Sequence, residues 1–317
     1  MDFLKKLGPV RGLSKRLFPD IVPAKEAHGI KSTAHKGIFV TGIHRSGTSW
    51  IGKILSQANN VIYWREPFNP STVKIMRQPY YYLSSSMEDL FYKEFTNELF
   101  TGKFAGALFD YTSPQQWVSR THQRHLIKDP TAAFLIEWLT SNYNLDVVIV
   151  IRHPAGFVSS ILKLKWDFDF NLILNQKQLM SNFLNPFKKT IEKHNYKGMD
   201  AAKGAVLWGI VYFVLEKMIK KYDFYWIKYE DICADPQAEF KQLFKAVNLN
   251  WENKIGRVIQ KSASSKVTFS DNITSKLKRD TTKMGTIWRD RLSVREIEII
   301  DKLVKQFKTN LYEHYAK

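Results

Sequence analysis

A single cysteine, Cys233, stands in the 317 residues, so no intrachain disulfide can form and a half-buried structural thiol in a reducing compartment is expected. Cysteine and histidine are nowhere grouped at metal-ligand spacing, and no metal is expected. The longest apolar run, Ala205 to Leu215, is about half of what a bilayer span needs, and residues 1–36 carry no apolar signal-peptide core. These absences point to a soluble, cytoplasmic protein. No repeat or low-complexity block interrupts the chain, and no finger, RRM or basic-zipper signature accompanies its charge, which argues against a nucleic-acid partner.

Hydrophobic residues make up 44% of the sequence, enough for one large core, and the formal net charge is +18. A positive field of that size suits a polyanionic ligand. Eight of the 48 lysines and arginines fall in residues 1–36 against three acidic residues, and Phe3, Leu4, Leu7, Val10, Leu13 and Phe18 are interleaved with them. This basic N-terminal arm reads as a solvated tail or as a peripheral contact for an anionic membrane surface.

Apolar runs alternate with helical periodicity, which implies a mainly parallel sheet flanked by helices on both faces. Strands are expected at about 38–42, 61–64, 124–128, 146–151 and 223–227, and helices at about 48–57, 131–142, 154–165, 200–221, 236–247 and 293–308. One domain spanning 37–317 follows, with acceptor-side insertions near 67–123 and 166–199, where periodicity weakens and aromatics such as Tyr80, Tyr81, Tyr82 and Trp166 collect.

Within that frame, Gly37 to Leu55 reads as a buried strand, a glycine turn and a helix. Gly42 and Gly47 have the spacing of a phosphate loop, yet Thr48 stands where a nucleoside-triphosphatase places its lysine, and the positive charge is Arg45 inside the loop. Helix N-terminal amides bind anions, hydroxyls of Ser46, Thr48 and Ser49 add donors, and Arg45 neutralises a transferable group. A plain Ser/Thr-capped helix is the competing reading. A second strand ends in Arg152, then His153-Pro154, then a helix bearing Ser159 and Ser160, so Arg152 and Ser160 can meet one anion beside the first loop.

With these two motifs the chain resembles the sulfotransferases that use 3′-phosphoadenosine 5′-phosphosulfate, PAPS, and is closest to their carbohydrate and bacterial branch. The resemblance implies a P-loop-like nucleotide-binding core and PAPS as sulfuryl donor, with Arg45-Ser46-Gly47-Thr48-Ser49-Trp50 as the 5′-phosphosulfate loop and Arg152 with Ser160 as the 3′-phosphate site. Leu126 to Pro130 resembles the family's K-D-P strand end, Trp226 to Asp231 its Y-E-D strand, and Trp288 to Ser293 its W-R-x-x-L-S. Where the cytosolic branch has an R-K-G triplet on the 3′-phosphate, this chain reads K-R-D-T-T-K-M-G, which leaves Arg279 and Lys283 as candidates.

Sulfuryl transfer needs positioning, charge stabilisation and one base for the acceptor proton. Glu66, after the second strand and in an E-P context, is the candidate base, with Asp129 and His44 in reserve. Lys128 and Arg45 are placed on the sulfuryl and bridging oxygens. The acceptor expected is a saccharide or glycolipid hydroxyl. The alternatives are a P-loop-type nucleotide or sugar kinase, which would keep the loop lysine and an acidic metal site, and a non-catalytic anion- or glycan-binding protein.

Overall fold

The computed structural model describes residues 36–100, 124–263 and 281–312; residues 1–35 of the basic arm, residues 101–123 of the first expected insertion and Arg279 lie outside them. Five strands, β1 (Gly37–Gly42), β2 (Val61–Arg65), β3 (Arg124–Lys128), β4 (Leu145–Ile151) and β5 (Tyr225–Lys228), form one parallel sheet in the order β2-β3-β1-β4-β5. Ile38 lies beside Leu126 on one side and Asp146 on the other, and Arg65 lies beside Lys128.

Both faces of the sheet are covered because its central strands are apolar on both sides. Phe39, Ile62, Trp64, Ile127, Val147, Ile149 and Ile151 face one core. Their alternates Ile38, Val40, Val61, Tyr63, Leu126, Val148 and Val150 face the other. The first core is closed by α3 (Ile136–Asn142), α4 (Pro154–Lys163), α5 (Ala201–Tyr222) and α9 (Val294–Gln306), together with α2 (Leu90–Phe100). The second is closed by α1 (Thr48–Leu55), α6 (Tyr229–Ala234), α7 (Pro236–Ala246) and α8 (Asn253–Ala263). No helix among the described residues is long and apolar enough to cross a membrane.

The topology reverses between β1 and β4, and ligands of open parallel sheets sit at the strand C-termini beside such a reversal. That places the loops after β1 and β4 next to each other. The expected strands agree with β1–β5 within two residues at each end. Two boundaries differ for local reasons. The helix expected from 131 begins as a 3₁₀ turn over Ala133–Leu135 and becomes α-helical at Ile136. The strand expected from 223 starts at Tyr225, because Asp223 takes a left-handed conformation (φ 51°) and caps α5, its N–H donating to Ile219 O at 3.0 Å.

The described parts of the middle segments, 67–100 and 166–199, supply several aromatics to the core. Tyr80, Tyr82, Tyr92, Phe95, Phe168 and Phe170 are buried, whereas Trp166 keeps 38% of its surface exposed. Helix α5 runs through the first core with all of Gly204 to Tyr212 buried, and α9 docks across it at Gly209. A Cβ added there would lie 2.2 Å from Phe307 Cδ2, so only glycine permits this approach. Gly209→Ala is expected to destabilise the protein by about 1–3 kcal/mol through overpacking, read as a drop in unfolding midpoint by denaturant titration; an unchanged midpoint would contradict this docking.

Candidate active site

The β1–α1 loop is built on two backbone exceptions. Gly47 has φ 102° and a Cβ there would meet the Tyr229 ring at 2.4 Å, so the loop closes only with glycine. Arg45, a non-glycine residue, is also left-handed at φ 66°. Strain of this kind in a long side chain collects at functional sites. No side chain caps α1, which leaves its first-turn amides available to an anion.

Loop and second strand end are joined directly. Arg152 Nη1 donates to the carbonyl of Arg45 at 2.6 Å, and Arg45 Nε donates to Ser160 Oγ at 3.2 Å. The Arg152 guanidinium also sits 4.8 Å from the centroid of the Tyr229 ring, the same ring that lies against Gly47. Arg152 is only 4% exposed, and its Nε is buried with no hydrogen-bond partner among the described residues. An arginine kept at a strand end with an unanswered donor fits an anion contact. The phosphate and sulfate groups of a PAPS-like donor therefore find a fitting cradle in Gly47, the α1 amides, Arg45, Arg152 and Ser160.

The other members of the loop are distributed differently. Ser46 is fully buried, with its N–H donating to Ile43 O at 3.1 Å, and Thr48 is buried at the helix start. Ser49 is exposed. The Trp50 side chain enters the second core, 5.3 Å from the Phe240 ring, and its Nε1 donates to Ser262 Oγ at 3.1 Å. Lys283 is exposed on a short helix, Thr281–Met284.

The carboxylate candidates separate clearly by environment. Glu66 follows β2 with φ 54°, its N–H donating to Lys128 O at 2.7 Å, so the sheet ladder delivers the two side chains side by side. Lys128, fully buried, forms an ion pair with Glu66, and Asn69 Nδ2 donates to the second Glu66 oxygen at 2.7 Å. Burial works to raise the Glu66 carboxyl, but the Lys128 charge and the hydrogen bonds from Lys128 and Asn69 together hold it below the ordinary glutamate value. It is ionised at neutral pH and partly open to solvent.

Asp129 is fully buried. Its Oδ2 accepts from Phe68 N at 2.8 Å and its Oδ1 from Thr131 N and Oγ1 at 2.9 and 2.7 Å, so it staples the loops after β2 and β3. Burial, then the Glu66 charge, push it up to about 7. His44 is held at about 3 by burial and by Arg45 beside it. Its N–H donates to the Tyr80 oxygen at 3.3 Å, which leaves the tyrosine proton for His44 Nδ1 at 2.5 Å. His44 also packs against Trp166 at 5.2 Å and Phe157 at 5.4 Å.

Residues to which sequence reasoning gave no role are Tyr229, the floor beneath Gly47 and Arg152, and Glu230, which accepts the His153 N–H at 3.1 Å. Both fall inside the stretch Trp226 to Asp231 that the sequence had flagged. No group of three metal-ligating side chains forms among the described residues.

The fold defines an α/β protein whose loops after β1 and β4 meet at the C-terminal edge of a parallel sheet. A sulfotransferase family profile matches residues 37–253, and the chain belongs to that family. It is therefore an enzyme of sulfuryl transfer, with PAPS as donor. Among curated proteins no relative matches the sequence. Similar solved structures include the sulfotransferase domain from the curacin biosynthetic pathway, 13% identical over 87% of this chain and 99% of that chain with a TM-score of 0.49. A mouse sulfotransferase complexed with PAP is 10% identical over 91% and 90%, with a TM-score of 0.47. Retinol dehydratase in complex with retinol and PAP is 14% identical over 92% and 87%, with a TM-score of 0.39. The retinol and PAP in those structures are ligands of those proteins.

The Glu66–Lys128 pair makes a measurable prediction. In Lys128→Met, burial, already the largest single influence on Glu66, is opposed only by the Asn69 hydrogen bond and the Arg65 charge, so the carboxyl should titrate above the ordinary 4.5 when followed by carbon-13 NMR of labelled glutamate. An unmoved titration would show that the pair does not set the charge of this site.

Proposed function

We propose that this sulfotransferase transfers the sulfuryl group of PAPS to a saccharide hydroxyl, with Glu66 as the general base. Bound PAPS supplies a sulfuryl group on a nucleotide leaving group. Arg45, Gly47, Thr48 and the α1 amides hold the 5′ end, and Arg152 with Ser160 holds the 3′-phosphate. Lys128, beside Glu66, offers its positive charge to the oxygens on which charge develops. The observation that carries the reading is the contrast among the three candidate bases. All three are hydrogen-bonded, Glu66 through Lys128 and Asn69, but Glu66 alone is ionised and partly exposed, whereas Asp129 is fully buried and pushed up to about 7, and His44 has Nδ1 committed to Tyr80 and is lowered to about 3. The kinase alternative gives way to family membership.

The acceptor side supports a saccharide through Trp166. Its partly exposed indole lies 5.9 Å from Arg45 Cζ and 5.2 Å from the His44 ring, which offers an apolar face for a sugar ring beside the arginine of the donor loop. Incubation with radiolabelled PAPS and a panel of glycans, phenols and steroids should label glycans preferentially. Labelling of phenols or steroids alone would overturn the acceptor reading and leave the family intact.

Glu66→Gln should lower turnover by ~10²–10⁴ while leaving affinity for 3′,5′-ADP near wild type, since it keeps shape and cannot take a proton. Because Glu66 is held below 4.5, the acid limb of wild-type turnover should lie below that pH and be absent from the variant. Nearly normal turnover in Glu66→Gln would remove Glu66 as the base.

A further inference from the structure

Glu230 lies in the first turn of α6, and its carboxylate reaches the start of α4 from the opposite side of β5. Oε1 accepts the His153 N–H at 3.1 Å, and Oε2 accepts the hydroxyl of Tyr312. Tyr312 belongs to the segment after α9, so the C-terminal region is tied to the loop that follows β4. Its ring meets His153 edge-on at 5.3 Å, the Lys228 ammonium lies 4.9 Å above it, and His153 stacks on Trp288 at 4.6 Å with an interplanar angle of 7°.

The peptide unit between Arg152 and His153 is thereby held at both polar ends. Its carbonyl, that of Arg152, accepts from Trp208 Nε1 at 2.8 Å, and its N–H, that of His153, donates to Glu230. The preceding N–H, that of Arg152 itself, donates to Tyr212 Oη at 3.3 Å. With the peptide plane fixed, the direction in which the Arg152 side chain leaves the backbone is fixed too. That direction is what brings the guanidinium to the Arg45 carbonyl at 2.6 Å and over the Tyr229 ring. A buried carboxylate is costly unless its oxygens are hydrogen-bonded, and one of the two donors that satisfy Glu230 is the amide next to Arg152.

We propose that Glu230 and Tyr312 are a positioning pair for Arg152, so that docking of the C-terminal segment sets affinity for the 3′-phosphate end of the donor. The proposal rests on the reading of Arg152 as a 3′-phosphate ligand. Neither residue touches the donor. Tyr312 delivers its effect through Glu230, the His153 amide and the Arg152 backbone, and the effect should disappear when the Arg152 side chain is removed.

Titration calorimetry with 3′,5′-ADP and with 5′-AMP on the full chain tests this. Tyr312→Phe keeps the ring and removes only the hydroxyl, and it should weaken 3′,5′-ADP about 3- to 10-fold, the scale of one hydrogen bond, with 5′-AMP unchanged. Glu230→Gln should show the same selectivity and supplies a second, independent reading. In an Arg152→Ala background, Tyr312→Phe should add no further loss. Equal weakening of both nucleotides by Tyr312→Phe, or an additive loss in the Arg152→Ala background, would overturn the pair as a positioning device. If Arg152→Ala itself weakens both nucleotides alike, it is the 3′-phosphate assignment that fails, and the pair falls with it.

Discussion

The hydrogen bond from Arg152 to the main-chain carbonyl of Arg45 is the contact on which the rest of the site depends. It joins the loops after β1 and β4, the two strands between which the topology reverses. The Arg152 guanidinium is fixed to a neutral carbonyl, with the Glu230 carboxylate close enough to feel its charge, and the Tyr229 ring beneath it adds a cation–π contact. The result is a guanidinium whose orientation is set by contacts within the fold, which would lower the cost of binding an anion there.

The same economy of geometry governs the carboxylate side. Parallel pairing of Arg65 with Lys128 continues one step into the Glu66 N–H to Lys128 O bond, so the sheet itself places Glu66 against Lys128. Glu66 and Arg45 are both non-glycine residues in the left-handed region, Glu66 directly after β2 and Arg45 in the loop after β1. The strain at Glu66, which lies beyond β2, is sustained by the ladder bond to Lys128 and by Asp129, which pins the backbone of Phe68 and Thr131. Asp129 thus works as a buried staple. Its pKa of about 7 arises from that burial and from the nearby Glu66 charge.

Much of the fold was legible in the sequence because it follows from periodicity. The five strands are short apolar runs closed by Gly, Pro or a charged residue, and such runs have few alternatives. The glycine spacing around Arg45 and the Arg152/Ser160 interval were legible for the same reason, since both are local patterns on one βα unit. Helix α6 was not, because Tyr229-Glu230-Asp231 follows β5 without a glycine or proline break and reads as the end of the strand. Helix α8 carried its signal at only a few positions, Ile255, Ile259 and Ser262. Contacts between distant segments were beyond any local pattern. The insertion of Trp50 into the second core, the His44–Tyr80 bond and the Glu230–Tyr312 link join residues from 36 to 212 positions apart, and only the assembled sheet brings them together.

The central claim is that the strand-end cluster is a site for the 3′,5′-bisphosphorylated nucleotide of a sulfuryl donor. Its most direct test is thermal unfolding of the full chain with 3′,5′-ADP in EDTA, alongside Mg-ATP. Selective binding to the folded state must raise the midpoint. The account predicts a clear upward shift with 3′,5′-ADP that persists in EDTA and none with Mg-ATP; a shift with Mg-ATP alone, or with neither nucleotide, would contradict it.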